Sequence, residues 1–296
     1  MLIRSVLTLA ITLVTACYAQ SSVQRLLEDK LLYRRIRALD DSLNGVLGVA
    51  AIDLTSGGAF AYNGDAIFPT ASSIKVAILI EMFRQAKAGA FRLADRVTLT
   101  PAESVGGSGD LQIALKRGPI TITVQQLITA MIEHSDNTAT NRCIAMVGME
   151  NVNRFLEEHG FYATRLRRRM MDAAAAERGD ENVSTPMEMA RLVQMLYEGR
   201  AVDTDASRQM LEIMKRVQAS IRAAIPAEIA VASKPGDLDG VRCEIGIVYL
   251  PGRPFAVSIF STYLDEKANP VSDAARIVFE YFQKIAQSNH YGRKIR

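Results

Sequence analysis

The stretch FPTASSIKVAILIEMF, Phe68 to Phe83, decides how the rest of the chain is read. Two serines follow a Pro-Thr pair, a lysine stands three residues after the first, and an apolar run continues to Phe83. Residues three apart share a helix face, so Ser72 and Lys75 are neighbours while Ser73 points elsewhere. A serine hydroxyl is a weak nucleophile until a base removes its proton. A lysine becomes that base when burial and a second cation lower its pKa. Backbone N–H groups at a helix N-terminus would stand ready beside an oxyanion. The plainer alternative is a capped core helix with a snorkelling lysine, and Ser-x-x-Lys alone does not decide between them.

Working outward, strand patterns lie at both chain ends and helical patterns between them. Before the stretch, 21–45 carries Val23, Leu26, Leu27, Leu31, Leu32 and Ile36 at helical spacing. GVLGVAAIDL (45–54) and AFAYNG (59–64) then read as strands around the turn TSGG. Helical periodicity dominates from about 72 to 220, broken by the loops ESVGGSGDL (103–111) and RGDENVSTP (178–186). In the second loop, Ser184 or Thr185 followed by Pro186 predicts a helix cap. Strand patterns return in IAVASKPG (229–236), VRCEIGIVYL (241–250) and FAVSIFSTYL (255–264), and a last helix covers 270–287. Neither set of strands makes a sheet alone. The expectation is an α+β fold with one antiparallel five-stranded sheet built from both ends, flanked by helices. An all-helical lobe is inserted at about 72–220, with the site in the cleft between lobes.

The 296 residues suffice for one two-lobed unit with a sizeable core, and 20–296 is read that way. A net charge of +3 gives no reason to expect nucleic acid or an anionic membrane as partner. Arg4, the apolar run Ser5–Ala16 and Cys-Tyr-Ala at 17–19 read as an export signal cleaved after Ala19. The product would be periplasmic or secreted, with no membrane span left; a lipobox at Val14–Cys17 is the rival reading. Cys143 and Cys243 read as two buried thiols, though an exported chain could join them. His134, His159 and His290 form no metal-ligand spacing, so neither metal nor cofactor is expected. His134, beside Ser135, reads as a surface or packing residue.

Two further polar clusters accompany the first. Ser135-Asp136-Asn137 interrupts two helical stretches, where Asp136 or Asn137 could simply cap the second. Ser233-Lys234-Pro235-Gly236 ends a strand and could be a plain turn. Their order is informative. Ser72-x-x-Lys75, then Ser135-Asp136-Asn137, then Lys234-Pro235-Gly236 resembles the Ser-x-x-Lys, Ser-Asp-Asn, Lys-Thr-Gly series of class A β-lactamases and related penicillin-recognising serine enzymes. The resemblance covers nearly the whole chain after the signal.

It implies that Ser72 is acylated by a small-molecule β-lactam or a cell-wall D-alanyl peptide, and that Lys75 activates it. Ser135 would relay a proton to the leaving nitrogen, Asn137 would hold the substrate amide, and Lys234 would bind the substrate carboxylate. Gly236 leads into Asp237, whose N–H would complete the oxyanion hole with that of Ser72. Arg242 is a candidate second carboxylate anchor, and a monomer is expected. Two departures stand out. Pro235 replaces the threonine, which an edge position facing the cleft would tolerate. The family's Glu-Pro-x-Leu-Asn stretch, whose glutamate activates the deacylating water, is missing from RLRRRMMDAAAAERGDENVSTP (165–186). Asp172 lies nearest its place, with Glu177 and Glu181 as alternatives. Acylation is therefore better supported than fast deacylation, and a peptidase or a slowly turning over penicillin-binding protein stands as the alternative.

Overall fold

The computed structural model describes residues 22–265 and 268–295. The expected signal at 1–19, Cys17 included, lies outside them. The leading segment is helical as predicted, as α1 (Ser22–Glu28) and α2 (Arg34–Asp41) joined by a π-helical turn. Strands β1 (Val46–Asp53), β2 (Ala59–Tyr62) and the short β3 (Phe68–Pro69) follow. A 3-10 turn, Ala71–Ile74, feeds α3 (Lys75–Lys87), which is buried from Lys75 to Phe83.

The middle of the chain is mostly helix: α4 (Leu111–Leu115), α5 (Val124–Glu133), α6 (Asn137–Val147), α7 (Met149–Glu158), α8 (Ala173–Glu177), α9 (Pro186–Tyr197), α10 (Thr204–Met214) and α11 (Ser220–Ala224). It is not all-helical. Arg96–Leu99 pairs with Ile120–Thr123, and β3 pairs with Val183–Ser184. Numbered in chain order, these are β4, β5 and β6. Thr185 caps α9 by accepting from Glu188 N at 3.1 Å, with Pro186 at the first helical position, as the loop chemistry predicted. Strands β7 (Val231–Leu238), β8 (Val241–Val248) and β9 (Phe255–Thr262) and helix α12 (Val271–Ala286) close the chain.

The main sheet has five antiparallel strands in the order β2-β1-β9-β8-β7, so the two ends of the chain meet in its centre. Alternation along the strands separates two cores. Ala50, Ile52, Cys243, Ile245, Ile247, Ala256 and Phe260 face the helical lobe. Leu47, Val49, Ala51, Val248, Phe255, Val257 and Ile259 face a second core shared with α1, α2, α11 and α12. Burial on both faces forces one register, because a one-residue slip would exchange the faces. The edge strand β7 carries Lys234-Pro235-Gly236, and Pro235 sits where proline costs least in a sheet.

Candidate active site

The 3-10 turn does what α-helical spacing promised, more tightly. Side chains at i and i+3 eclipse in a 3-10 helix, so Ser72 and Lys75 stand on one side. Ser72 is half-buried and lines a cavity of about 310 Å³, with Asn137, Met170 and Asp237 also on its wall. Ser73 is fully buried and donates to Thr70 O at 2.8 Å, so it is a structural hydroxyl. Ala71, immediately before the candidate nucleophile, holds φ +44°, a left-handed conformation that costs energy for any residue with a side chain.

Lys75 is fully buried and donates to Ser135 O at 2.7 Å, Ser135 Oγ at 3.1 Å and Asn137 Oδ1 at 2.9 Å. Burial, aided by the nearby Lys234 ammonium, drives its pKa well below the ordinary lysine value; Asp136 opposes the shift. Deprotonated, Lys75 has only two N–H groups, so one of these three contacts is given up to leave the lone pair that a general base needs. Ser135 adopts φ +52°, which turns its hydroxyl and carbonyl toward Lys75. In Ser135-Asp136-Asn137 a helix cap and contacts with Lys75 coexist. Asp136 caps α6 by accepting from Ala139 N at 2.8 Å, while its two neighbours reach the site. The Asp136 carboxylate also accepts from Leu111 N at 2.9 Å. Gly109 passes so close that an added Cβ would lie 2.2 Å from Asp136 Oδ2. Asn137 gives its carbonyl to Lys75 and one N–H to Gly106 O at 3.1 Å, leaving the other N–H for a substrate carbonyl.

From the sheet, Lys234 reaches the same hydroxyl: its Nζ donates to Ser135 Oγ at 3.0 Å and to Pro235 O at 3.1 Å. Complete burial lowers its pKa to about 8, opposed by nearby acidic groups. Ser135 Oγ thus bridges two lysines, as a proton relay requires. Gly236 is needed for space. A Cβ there would lie 2.7 Å from Thr70 O and 2.8 Å from Ser72 N. That close approach brings the backbone of β7 against the turn that carries Ser72.

Arg242 departs from expectation. Its guanidinium donates to Leu238 O at 2.7 Å and Val241 O at 2.8 Å and pairs with Asp237 at 3.4 Å, so it braces the β7–β8 hairpin. Cys143 and Cys243 are both free and buried, as read. Cys243 lies beneath the site and donates to Thr70 O at 3.1 Å and Gly236 O at 3.4 Å. His134 is exposed at the end of α5.

Two acids of the 165–186 loop, Asp172 and Glu181, line the cavity, and each already has a partner within the loop. Asp172 is exposed and caps α8, accepting from Ala175 N at 3.0 Å. Glu181 lies on the cavity wall but is held by Arg168 through two 3.0 Å contacts. Glu177 is exposed on α8 and does not line the cavity. Met170 stands on the wall beside Asp172 and Glu181. It is buried, and its backbone is clamped by Asn141, with Met170 N donating to Oδ1 at 2.8 Å and Nδ2 donating to Met170 O at 3.0 Å. Sequence reasoning missed Met170 because only acidic residues were weighed for that place.

A family profile described as "Beta-lactamase enzyme family" matches residues 31–282. β-Lactamase CTX-M-25 of Escherichia coli is 29% identical, over 91% of this chain and 96% of that relative. Among solved structures, a class A β-lactamase from Mycobacterium abscessus superimposes with a TM-score of 0.77 at 25% identity, covering 84% of this chain and 98% of the other. PBP-A superimposes with a TM-score of 0.79 at 25% identity, covering 86% and 97%. A mutant of PBP-A has been solved as an acyl-enzyme complex with penicillin G.

Proposed function

The chain belongs to the β-lactamase enzyme family, and we propose that it opens β-lactams through an acyl-serine intermediate on Ser72. The observation that carries this reading is the buried Lys75 amine, hydrogen-bonded to Ser135 and Asn137 and three residues from a serine on the cavity wall. In the forward step Lys75 takes the Ser72 proton as Oγ bonds to the lactam carbonyl carbon. The oxyanion is received by the N–H groups of Ser72 and Asp237, an arrangement worth about 10²–10³ in rate per donor. As the C–N bond breaks, the ring nitrogen gains a proton through Ser135 Oγ. Lys234 binds the substrate carboxylate, and the remaining Asn137 N–H holds the acyl amide.

One observation favours a second reading of the same chemistry. Met170 stands on the cavity wall where a water-activating carboxylate would be useful, and the loop's acids are exposed or paired. Hydrolysis of the acyl-serine would then be slow with β-lactams, as in a penicillin-binding protein or D-alanyl peptidase. Export, read from Arg4 and the apolar run behind it, suits either substrate.

Intact mass spectrometry of the protein with benzylpenicillin, sampled from seconds to hours, tests both readings. A transient adduct with accumulating penicilloate supports hydrolysis, and a lasting adduct supports the slow enzyme. No adduct at any time would remove the proposal.

A further inference from the structure

Beneath Lys234, on the far face of the sheet, lies a carboxylate that the acylation chemistry does not use. Glu244 is paired with Pro235 in the β7–β8 register, while Lys234 is paired with Ile245. Cross-strand partners share a face and sequence neighbours alternate, so Glu244 points into the second core and Lys234 into the site. Glu244 is 1% exposed. It accepts from Ser233 Oγ at 2.6 Å and from Ile221 N at 2.9 Å. A buried carboxylate with only neutral donors is costly unless a charge partner is near. Apolar side chains fill the same face of the neighbouring strands.

We propose that Glu244 is a positioning residue of the acylation site: from behind the sheet, its carboxylate keeps the Lys234 ammonium charged and seated on Ser135 Oγ. The inference rests on the reading of Ser72 and Lys234 given above. The groups facing Lys234 are few. Lys75 on α3 repels it, and Ser135 Oγ accepts from it. Asp237 is largely exposed and already paired with Arg242. The buried Cys243 thiol, pushed up to about 12, is uncharged where Lys234 titrates. Glu244 is left as the buried countercharge. Its own surroundings are Ser233, the amides of Ser220 and Ile221, and Lys234 itself, and desolvation raises its pKa to about 7.

The consequence runs across the site. With Glu244 ionised, Lys234 stays cationic, binds the substrate carboxylate and keeps Lys75 deprotonated by repulsion. With Glu244 neutralised, Lys234 loses its proton at lower pH, the carboxylate is held less well, and Lys75 becomes easier to protonate.

The test is a titration of the free protein labelled with [13Cε]lysine, the Lys234 signal being assigned by its loss in Lys234→Arg. We expect Glu244→Gln to move the Lys234 midpoint down by about one pH unit, a roughly tenfold change in its proton affinity. The concentration of benzylpenicillin that half-saturates acylation at pH 7.5 should rise several-fold, and Glu244→Asp should restore part of it. Ser233→Ala, which removes a donor to the carboxylate, should weaken half-saturation near pH 7 in the same direction and serves if Glu244→Gln does not fold. An unchanged Lys234 midpoint in a folded variant, or unchanged half-saturation across the pH range, overturns the proposal. The titration needs no turnover. Failure of the wild-type protein to acylate, with the midpoint shifted in Glu244→Gln, would therefore count against the reading of function, while normal wild-type acylation with an unshifted midpoint in the variant would count against Glu244.

Discussion

Replacing Gly236 by alanine should disable acylation while leaving the protein folded. The added Cβ would meet Thr70 O at 2.7 Å, Ser72 N at 2.8 Å and Cys243 Sγ at 2.8 Å, against an ordinary contact of 3.4–4 Å. Two of these atoms are backbone, and the third is a buried thiol hydrogen-bonded to Thr70 O and Gly236 O. No flexible side-chain end is available to move aside. Relief requires β7 and the turn at Ala71–Ile74 to separate by about 0.6–0.7 Å. Those two segments carry the N–H groups of Asp237 and Ser72, so the separation widens the oxyanion hole. A displacement of about 1 Å costs around a hundredfold, and losing one oxyanion donor costs about 10²–10³. We expect acylation by benzylpenicillin to slow by roughly 30- to 300-fold, or about 2–3 kcal/mol of barrier. Overpacking should also lower stability by about 1–3 kcal/mol. Time-resolved intact mass gives the acylation rate, and a thermal melt verifies folding. A folded Gly236→Ala protein that acylates within threefold of wild type would refute this account of the oxyanion hole.

Ser72→Ala should form no adduct with any β-lactam, whereas Ser73→Ala should acylate near the wild-type rate and lose about 1 kcal/mol of stability with its bond to Thr70 O; the reverse pattern by mass spectrometry would reassign the nucleophile. Asp172→Asn should leave deacylation unchanged, because its side chain serves as the cap of α8; a slower decay of the adduct would restore it as the base. Met170→Glu should shorten adduct lifetime by placing a carboxylate on the cavity wall, and an unaltered lifetime would show that Met170 does not stand at the water position. In wild type, acylation should fall on acidification as Lys75 gains a proton, and half-saturation should worsen above about pH 8 as Lys234 loses one. Stability carries matching signs. Between about 8 and 10.5 the unfolded chain binds more protons at Lys234, so that contribution rises with pH. Between 4.5 and about 7 the folded chain binds more at Glu244, so that one falls. Denaturant unfolding of wild type and Glu244→Gln over pH 4–8 isolates the second slope, and identical slopes would contradict it.

Much of this was legible in the sequence because it follows from periodicity and punctuation. All five main strands and the final helix lie within about two residues of their expected limits, since alternation and turn residues mark a two-sided sheet. The Ser72–Lys75 pair was legible because its spacing matches a helical repeat. What escaped notice depends on three-dimensional neighbours. The left-handed Ala71 and Ser135 are not residue types that announce φ > 0. Met170 reads as a core methionine until Asn141 is seen to clamp its backbone. Glu244 looks like a surface charge on an alternating strand until Ile221 and Ser233 close over it. The small β4–β5 and β3–β6 pairings lie within a stretch dominated by helical periodicity, where strands of two to four residues do not stand out; the equally short β2 was legible because the turn TSGG marks its hairpin.

The strand order also governs when the chain can fold. Val46, at the start of β1, finds its partner Thr262 only at the end of β9, and the whole helical lobe is made between them. Until β9 arrives, the first strands have only each other, and a lone hairpin is marginal in water. Pairings so distant in sequence slow folding, because loop closure precedes any reward from contacts. A polypeptide leaving the ribosome would thus stay without its central sheet until nearly its last residues are made. That delay places the lysine–serine cluster among the last features to assemble.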